Sequence, residues 1–187
     1  VDLTGSKRMF HITERLLLRP AWPEDAEALF GGIADEGVVR NLARAPWPYL
    51  PEHAREFVKR EQDQRVPNFL MTLPGEHGSR IIGSIGLGET ETGVELGYWI
   101  ARPYWGQGYA TEAGLGVLEV AKLLGYRQIE AGHFLDNPAS GRVLRKLGFR
   151  PTGRVAKRYS CARGADVDCA LFELNLDQTK VAPPMAA

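Results

Sequence analysis

Three features of the sequence predict a mixed α+β fold. Apolar residues recur with the two-residue repeat of a strand in some stretches and with the 3.6-residue repeat of a helix in others, and the period changes several times. Gly and Pro punctuate almost every change. The chain has 187 residues, 44% hydrophobic and 25% charged. A chain of that size buries roughly 70% of its unfolded surface, so it needs neither disulfide nor metal to hold a core.

The elements follow in order. Residues 15–19, with Leu16, Leu17 and Leu18 between arginines, form a short strand. Pro23 suits a first helical turn, and Ala26, Leu29, Phe30 and Ile33 then share one helix face. Residues 37–48 are aperiodic. A second helix begins near Pro51 with Ala54, Phe57 and Val58 inward. Strands are predicted at Asn68–Leu73, residues 80–87 and Val94–Ile100, separated by Gly- and Glu-rich turns. A helix over residues 109–124 is stopped by Gly125. A strand at 127–134 precedes a helix opened by Asn137-Pro138 and ended by Gly148, and two strands at 152–159 and 167–174 close the pattern. The order β-α-α-β-β-β-α-β-α-β-β contains no repeat and no long linker. One domain over residues 9–176 is expected, with 1–8 and 177–187 as loose termini.

Composition removes several classes. The 23 Lys+Arg balance 23 Asp+Glu, which argues against a dedicated nucleic-acid binder, because neutralising phosphates needs a basic excess. No run approaches the roughly 18 apolar residues of a membrane span, so no membrane partner is expected. No charged-then-apolar leader opens the chain, and a cytoplasmic location is expected. Cys161 and Cys169 are too few for a disulfide scaffold and read as reduced. Histidines 11, 53, 77 and 133 lack ligand spacing, so no metal is expected.

Two runs carry chemistry. The first is Trp99-Ile100-Ala101-Arg102-Pro103-Tyr104-Trp105-Gly106-Gln107-Gly108-Tyr109-Ala110-Thr111. A strand ends, a Pro-aromatic turn follows, and Gly-x-Gly opens a helix. Unpaired N–H groups at a helix start attract anions, and glycines let a phosphate approach the backbone. The Gly-Lys-Ser/Thr of a P-loop is absent, and Thr111 stands where a dinucleotide fingerprint needs its third glycine. Glu130 lies about where a ribose-binding acid would, so a dinucleotide oxidoreductase stays as a lesser alternative. The second run is Asn137-Pro138-Ala139-Ser140-Gly141-Arg142-Val143-Leu144-Arg145-Lys146-Leu147-Gly148-Phe149, in which Asn137 is either a plain helix cap or a ligand-binding group.

With Thr13-Glu14-Arg15-Leu16-Leu17-Leu18-Arg19-Pro20 and Gly97-Tyr98-Trp99-Ile100 added, these runs resemble the GNAT superfamily of acyl-CoA-dependent N-acyltransferases. The closer likeness is to its RimJ/RimL-type branch, the N-terminal acetyltransferases of ribosomal proteins and their relatives. The resemblance implies a mostly antiparallel sheet of about seven strands with helices on both faces. It implies acetyl-CoA as co-substrate, lying in a gap between two splayed strands. The backbone of Trp99 and Ala101 would bond its thioester and pantetheine arm. The amides of Gly106, Gln107, Gly108, Tyr109, Ala110 and Thr111 would hold the pyrophosphate, and Asn137 would reach the arm. Trp105 replaces the Gln or Arg common in the superfamily, which backbone binding tolerates.

The implied reaction is direct acetyl transfer to a neutral amine. Glu95 is the candidate base, on the strand face shared with Gly97 and Trp99, and would need a bridging water. It reads equally as a solvent-facing strand residue. Many superfamily members carry a Tyr acid where this chain has Leu144. Ser140 is the replacement that the branch suggests, orienting the leaving sulfur, or else an ordinary first-turn serine. Trp22, Trp47, Tyr49 and the turn between Tyr159 and Asp168 are acceptor-pocket candidates, with core packing the alternative for Trp47 and Tyr49. Asp168 reads best as a strand-end charge. The acceptor would be a protein or peptide N-terminal amine, of the Ala/Ser type, or a small-molecule amine. Monomer and homodimer both stay open. A non-catalytic acyl-CoA-binding module is the remaining alternative, prompted by Leu144.

Overall fold

The computed structural model describes residues 9–75 and 78–178. Eight strands, β1 (His11–Ile12), β2 (Leu17–Arg19), β3 (Asn68–Leu73), β4 (Arg80–Glu89), β5 (Val94–Ile100), β6 (Gln128–Phe134), β7 (Arg150–Ser160) and β8 (Ala165–Asn175), form one sheet among the described residues. Its order is β1-β2-β3-β4-β5-β6-β8-β7. Every neighbouring pair is antiparallel except β5 and β6. The helices are α1 (Ala26–Ile33), α2 (Glu36–Val39), α3 (Pro51–Lys59), α4 (Tyr109–Leu123) and α5 (Pro138–Lys146). The parallel pair exists because α4 makes the crossover that returns the chain in the same direction.

The predicted mixed fold is present, with one more strand than expected. β1 was missed because a two-residue strand shows no period; it pairs His11 with Leu18. α2 overlaps the start of the stretch read as irregular, and Asp35 caps it by accepting the Val38 N–H at 3.2 Å. Pro23 opens a single 3-10 turn, Pro23–Asp25, ahead of α1. β7 and β8 run longer than the pattern suggests, because β7 is an edge strand with mostly exposed side chains and a register shift after Pro151.

Apolar side chains divide into two cores, one on each face of the sheet. Val117 and Leu118 of α4, Leu144 of α5 and Leu147 just past its end pack with Ile82, Leu96 and Ile100. Leu29, Ile33 and Ala54 of α1 and α3 pack with Leu70, Trp99 and Ala101 on the other face. β5 therefore feeds both cores by the alternation of its side chains. The buried Arg19 and Asp25 side chains, only 5% and 8% exposed, join through two bonds of 2.7 Å. The Arg19 guanidinium also lies 3.8 Å from the Trp22 ring centroid. That pair fixes where α1 begins, and it holds Trp22 beside Phe10, away from the main cavity.

Candidate active site

β5 and β6 pair only at Glu95 with Glu130 and Leu96 with Ala131. Beyond that point the strands diverge, while β5 stays bonded to β4 as far as Ile100 and β6 stays bonded to β8 as far as Phe134. The sheet thus opens into a V whose inner edges carry backbone groups without strand partners. A cavity of about 1340 Å³ runs through this opening. It exceeds the roughly 300–1,000 Å³ typical of a small-molecule pocket, so two substrates can lie in it together.

Backbone direction inside the V corrects one expectation. The Ala101 N–H donates to the Ile82 carbonyl at 2.8 Å, and the Ala101 carbonyl accepts from Tyr104 at 2.9 Å. Ala101 is thereby committed within the fold. Because N–H and C=O of one residue share a side of an antiparallel pair, Trp99 also directs its backbone toward β4. Tyr98 and Ile100 direct theirs toward the gap. The Ile100 carbonyl accepts the Trp105 indole N–H at 2.7 Å. The Trp99 side chain is buried and packs over Gly32.

At the mouth of the V, Gly106 and Gly108 have φ of +75° and +85°, a left-handed backbone that other residues resist. This bend aims the start of α4 at the cavity, which Gly106, Gly108, Tyr109, Ala110 and Thr111 line. The N–H groups of Thr111 and Glu112 both donate to the Gly108 carbonyl at 3.0 Å. The Thr111 amide is therefore spent on the helix, and the amides of residues 106–110 lie outside the helical ladder. The Gln107 side chain turns away and donates to the Pro103 carbonyl at 2.9 Å.

Across the gap, α5 presents Asn137 and Ser140. The Asn137 side-chain oxygen accepts the Ser140 N–H at 3.3 Å, so it caps the helix as its residue type favours. Both residues line the cavity. Ser140 Oγ meets the Tyr98 hydroxyl at 2.8 Å. Tyr98 is the residue that sequence reasoning missed. Burial pushes its phenol up to about 12, against a smaller opposing effect of the Ser140 bond. Its only sequence signal is its place in Gly97-Tyr98-Trp99, one residue from positions already singled out. Leu144 is 1% exposed in the core under α5, and offers the gap no polar group.

Glu95 shares the cavity floor with Gly97, Arg158 and Cys169. Its Oε1 is paired with Arg158 Nη1 from β7, an interaction no spacing in the sequence announces. Burial works to lower the Arg158 guanidinium, but Glu95 outweighs it and leaves Arg158 raised. Burial raises the Cys169 thiol despite the nearby Arg158. Of the acceptor candidates, Tyr49 is buried against α3 and lines the cavity, whereas Trp47 is 40% exposed and lies off its wall. Asp168 is paired with Lys157 at 2.9 Å, also off the wall.

The turn between Tyr159 and Asp168, an acceptor-pocket candidate, lies off the cavity wall, but it is tied to three residues that line it, Arg40, Ala43 and Asp136. Cys161 N–H donates to the Ala43 carbonyl at 2.9 Å. Arg163 donates to the Arg40 carbonyl at 2.8 Å and grips Asp136 at 2.8 and 3.0 Å. Among the described residues, no group of three His, Cys, Asp or Glu is placed to hold a metal. No helix among them is long and apolar enough to cross a membrane. His77 lies outside the described residues.

A splayed parallel pair, a glycine-bent helix start at its mouth and a pair of hydroxyls across the gap make one site. Residues 15–150 match the acetyltransferase (GNAT) domain family, and the chain belongs to that family. It is an acetyl-transferring enzyme of the GNAT type. It is 28% identical over 169 residues to the uncharacterized N-acetyltransferase YoaA of Bacillus subtilis (strain 168), covering 87% of this chain and 94% of that one. It is also similar to the crystal structure of a GNAT-family acetyltransferase from Bacillus anthracis, with TM-score 0.78 and 27% identity over 91% of this chain and all of the other. RimL, a ribosomal L7/L12 alpha-N-protein acetyltransferase solved with coenzyme A, shares the fold at TM-score 0.75. The match to RimL spans 91% of this chain and 100% of that one, at 20% identity.

Proposed function

We propose that residues 9–176 form one catalytic unit that moves the acetyl group of acetyl-CoA directly to a primary amine, with a protein or peptide N-terminal amine of the Ala/Ser type as the favoured acceptor. The observation that carries the reading is the divergence of β5 from β6 beside the loop at 106–110. One opening thereby offers unpaired strand backbone for an amide-rich arm and helix-start amides for phosphates.

In this reading the gap-facing backbone of Tyr98 and the N–H of Ile100, in place of Trp99 and Ala101, hold the pantetheine arm. The amides of Gly106, Gln107, Gly108, Tyr109 and Ala110 take the pyrophosphate, without Thr111. Asn137 adds its side-chain amide from α5. The amine attacks the thioester carbonyl, an oxyanion forms, and the C–S bond breaks to release CoA thiolate. Ser140 donates to that sulfur. If Tyr98 donates to Ser140 Oγ, the serine hydrogen is free to point into the gap. A phenol at about 12 keeps its proton at any working pH.

Glu95 takes the amine proton through a water. Its pairing with Arg158 holds the carboxylate in place on the cavity floor. A base that works only through a water suits an amine that is already partly neutral. An α-amine titrates at about 7.7–8.0 and a lysine amine at about 10.4, so the former needs less help near pH 7.5. The fold shared with RimL supports the same acceptor class. Tyr49 bounds the acceptor end, together with Arg40, Ala43 and Asp136, which the β7–β8 turn braces.

A paired screen tests the reading: acetyl-CoA with Ala- and Ser-starting peptides, and acetyl-CoA with small amines and Nα-blocked lysine peptides. Release of CoA with the free N-terminal peptides is expected. Turnover of small amines alone would defeat the acceptor assignment, and no turnover with any amine would return the chain to a binding role.

A further inference from the structure

We propose that Arg15 is a positioning residue for the phosphate loop, acting through the carbonyl of Gln107. The inference rests on the reading of the loop at 106–110 as the pyrophosphate site. Arg15 does not line the cavity, so it holds the loop from outside. Its guanidinium is spread over three partners. Nε and Nη2 each reach Glu112 Oε2 at 2.7 Å, while Nη1 donates to the Gln107 carbonyl at 3.2 Å. The guanidinium carbon sits 4.3 Å from the Tyr109 ring centroid.

Glu112 is itself immobilised. Its Oε1 accepts the Thr13 hydroxyl at 2.6 Å and the Arg15 N–H at 2.7 Å. This fixes the segment ahead of β2 to the first turn of α4, so the guanidinium has a rigid base from which to act.

The consequence follows from peptide geometry. In a trans peptide the N–H points opposite to the C=O of the same plane. The Gln107 carbonyl is drawn outward to Arg15, away from the cavity wall. The N–H in that plane belongs to Gly108, and it is therefore driven toward the cavity. Gly108 at φ +85° has no strong preference of its own between the two orientations of that plane. Arg15 selects the one that presents a donor to phosphate. It also cancels the charge of Glu112, whose carboxylate would otherwise stand beside the anion site.

Steady-state kinetics with acetyl-CoA and with S-acetylpantetheine, which lacks the phosphates, test the proposal on wild type, Arg15→Met, Arg15→Lys and Arg15→Met/Glu112→Gln. Wild type is expected to show a much lower KM for acetyl-CoA than for S-acetylpantetheine. Arg15→Met should raise the acetyl-CoA KM about tenfold, as loss of one or two hydrogen bonds at a charged ligand does. Its kcat and its KM for S-acetylpantetheine should stay within about twofold of wild type. Arg15→Lys keeps a charge against Glu112 but cannot span both partners, so the same discrimination should be weakened, and it decides the matter if Arg15→Met does not fold. Adding Glu112→Gln should not restore the KM.

An undiminished preference for acetyl-CoA in Arg15→Met and Arg15→Lys overturns the proposal. So does an equal rise in KM for both donors, which marks a general structural role. Full restoration by Glu112→Gln would assign the effect to charge instead of the carbonyl clamp. A wild type that does not distinguish the two donors removes the loop reading itself, and this inference with it.

Discussion

The Tyr98 hydroxyl and Ser140 Oγ lie 2.8 Å apart, joining β5 to the first turn of α5 across the gap where the strands diverge. If the proposed roles hold, Tyr98 acts through Ser140 and the two should not contribute independently. Ser140→Ala is expected to lower kcat about 10- to 100-fold, and Tyr98→Phe less. The double variant should match Ser140→Ala alone. Additive losses would show that Tyr98 works on its own.

The raised phenol has a pH consequence. Its ordinary value is 10.0 and its folded value about 12, so the fold favours the neutral form. That contribution to stability is complete below pH 10 and drains away as pH rises toward 12. Thermal unfolding of wild type should fall over that interval by more than that of Tyr98→Phe.

Glu95→Gln is expected to lower kcat at pH 7 by about 10²-fold, within the usual range for a general base, while the acetyl-CoA KM holds. The deficit should shrink toward pH 9, where the acceptor amine loses its own proton. A pH–rate profile from 6.5 to 9.5 checks both points, and wild-type turnover throughout would remove Glu95 from the mechanism.

Asn137 caps α5, and the duty toward acetyl-CoA proposed for it can be separated from the cap by substitution. Asn137→Ala should lose the cap and about 1 kcal/mol of stability. Asn137→Ser keeps a cap but no amide donor, so stability should recover while the acetyl-CoA KM stays raised. Recovery of both by serine would reduce Asn137 to a cap.

Arg163→Met should loosen the β7–β8 turn from Arg40 and Asp136 and raise the acceptor KM, leaving the acetyl-CoA KM unchanged. Pairing with Arg163 holds the Asp136 carboxyl below its ordinary 3.8, against the opposing effect of burial. This stabilisation is present above pH 3.8 and lost as pH falls through the lower folded value. Wild type should therefore lose stability over that acid interval, and Arg163→Met should lose less.

Most of the fold could be read from residue order, as could the two runs that line the gap, 106–111 and 137–140. Gly106 and Gly108 need no tertiary context to announce a sharp backbone bend ahead of a helix, and Asn137-Pro138 opens a helix by chemistry local to those residues. The strand faces were equally clear: Glu95, Gly97 and Trp99 do share a side, because side-chain alternation is a property of a single strand.

Relations between strands could not be read in the same way. Whether Ala101 or Ile100 turns its backbone to the gap depends on its register with Ile82, a pairing made across the sheet. Arg158 reaches Glu95 from β7, and Tyr98 reaches Ser140 from β5, through folding alone. Trp47 and Tyr49 flank the same proline, yet one stands off the wall and the other lines it. Local conformation is written in neighbouring residues, where sterics and hydrogen bonding act over one or two turns. Which side chains meet in the cavity is set by long-range packing, which no fixed spacing along the chain encodes.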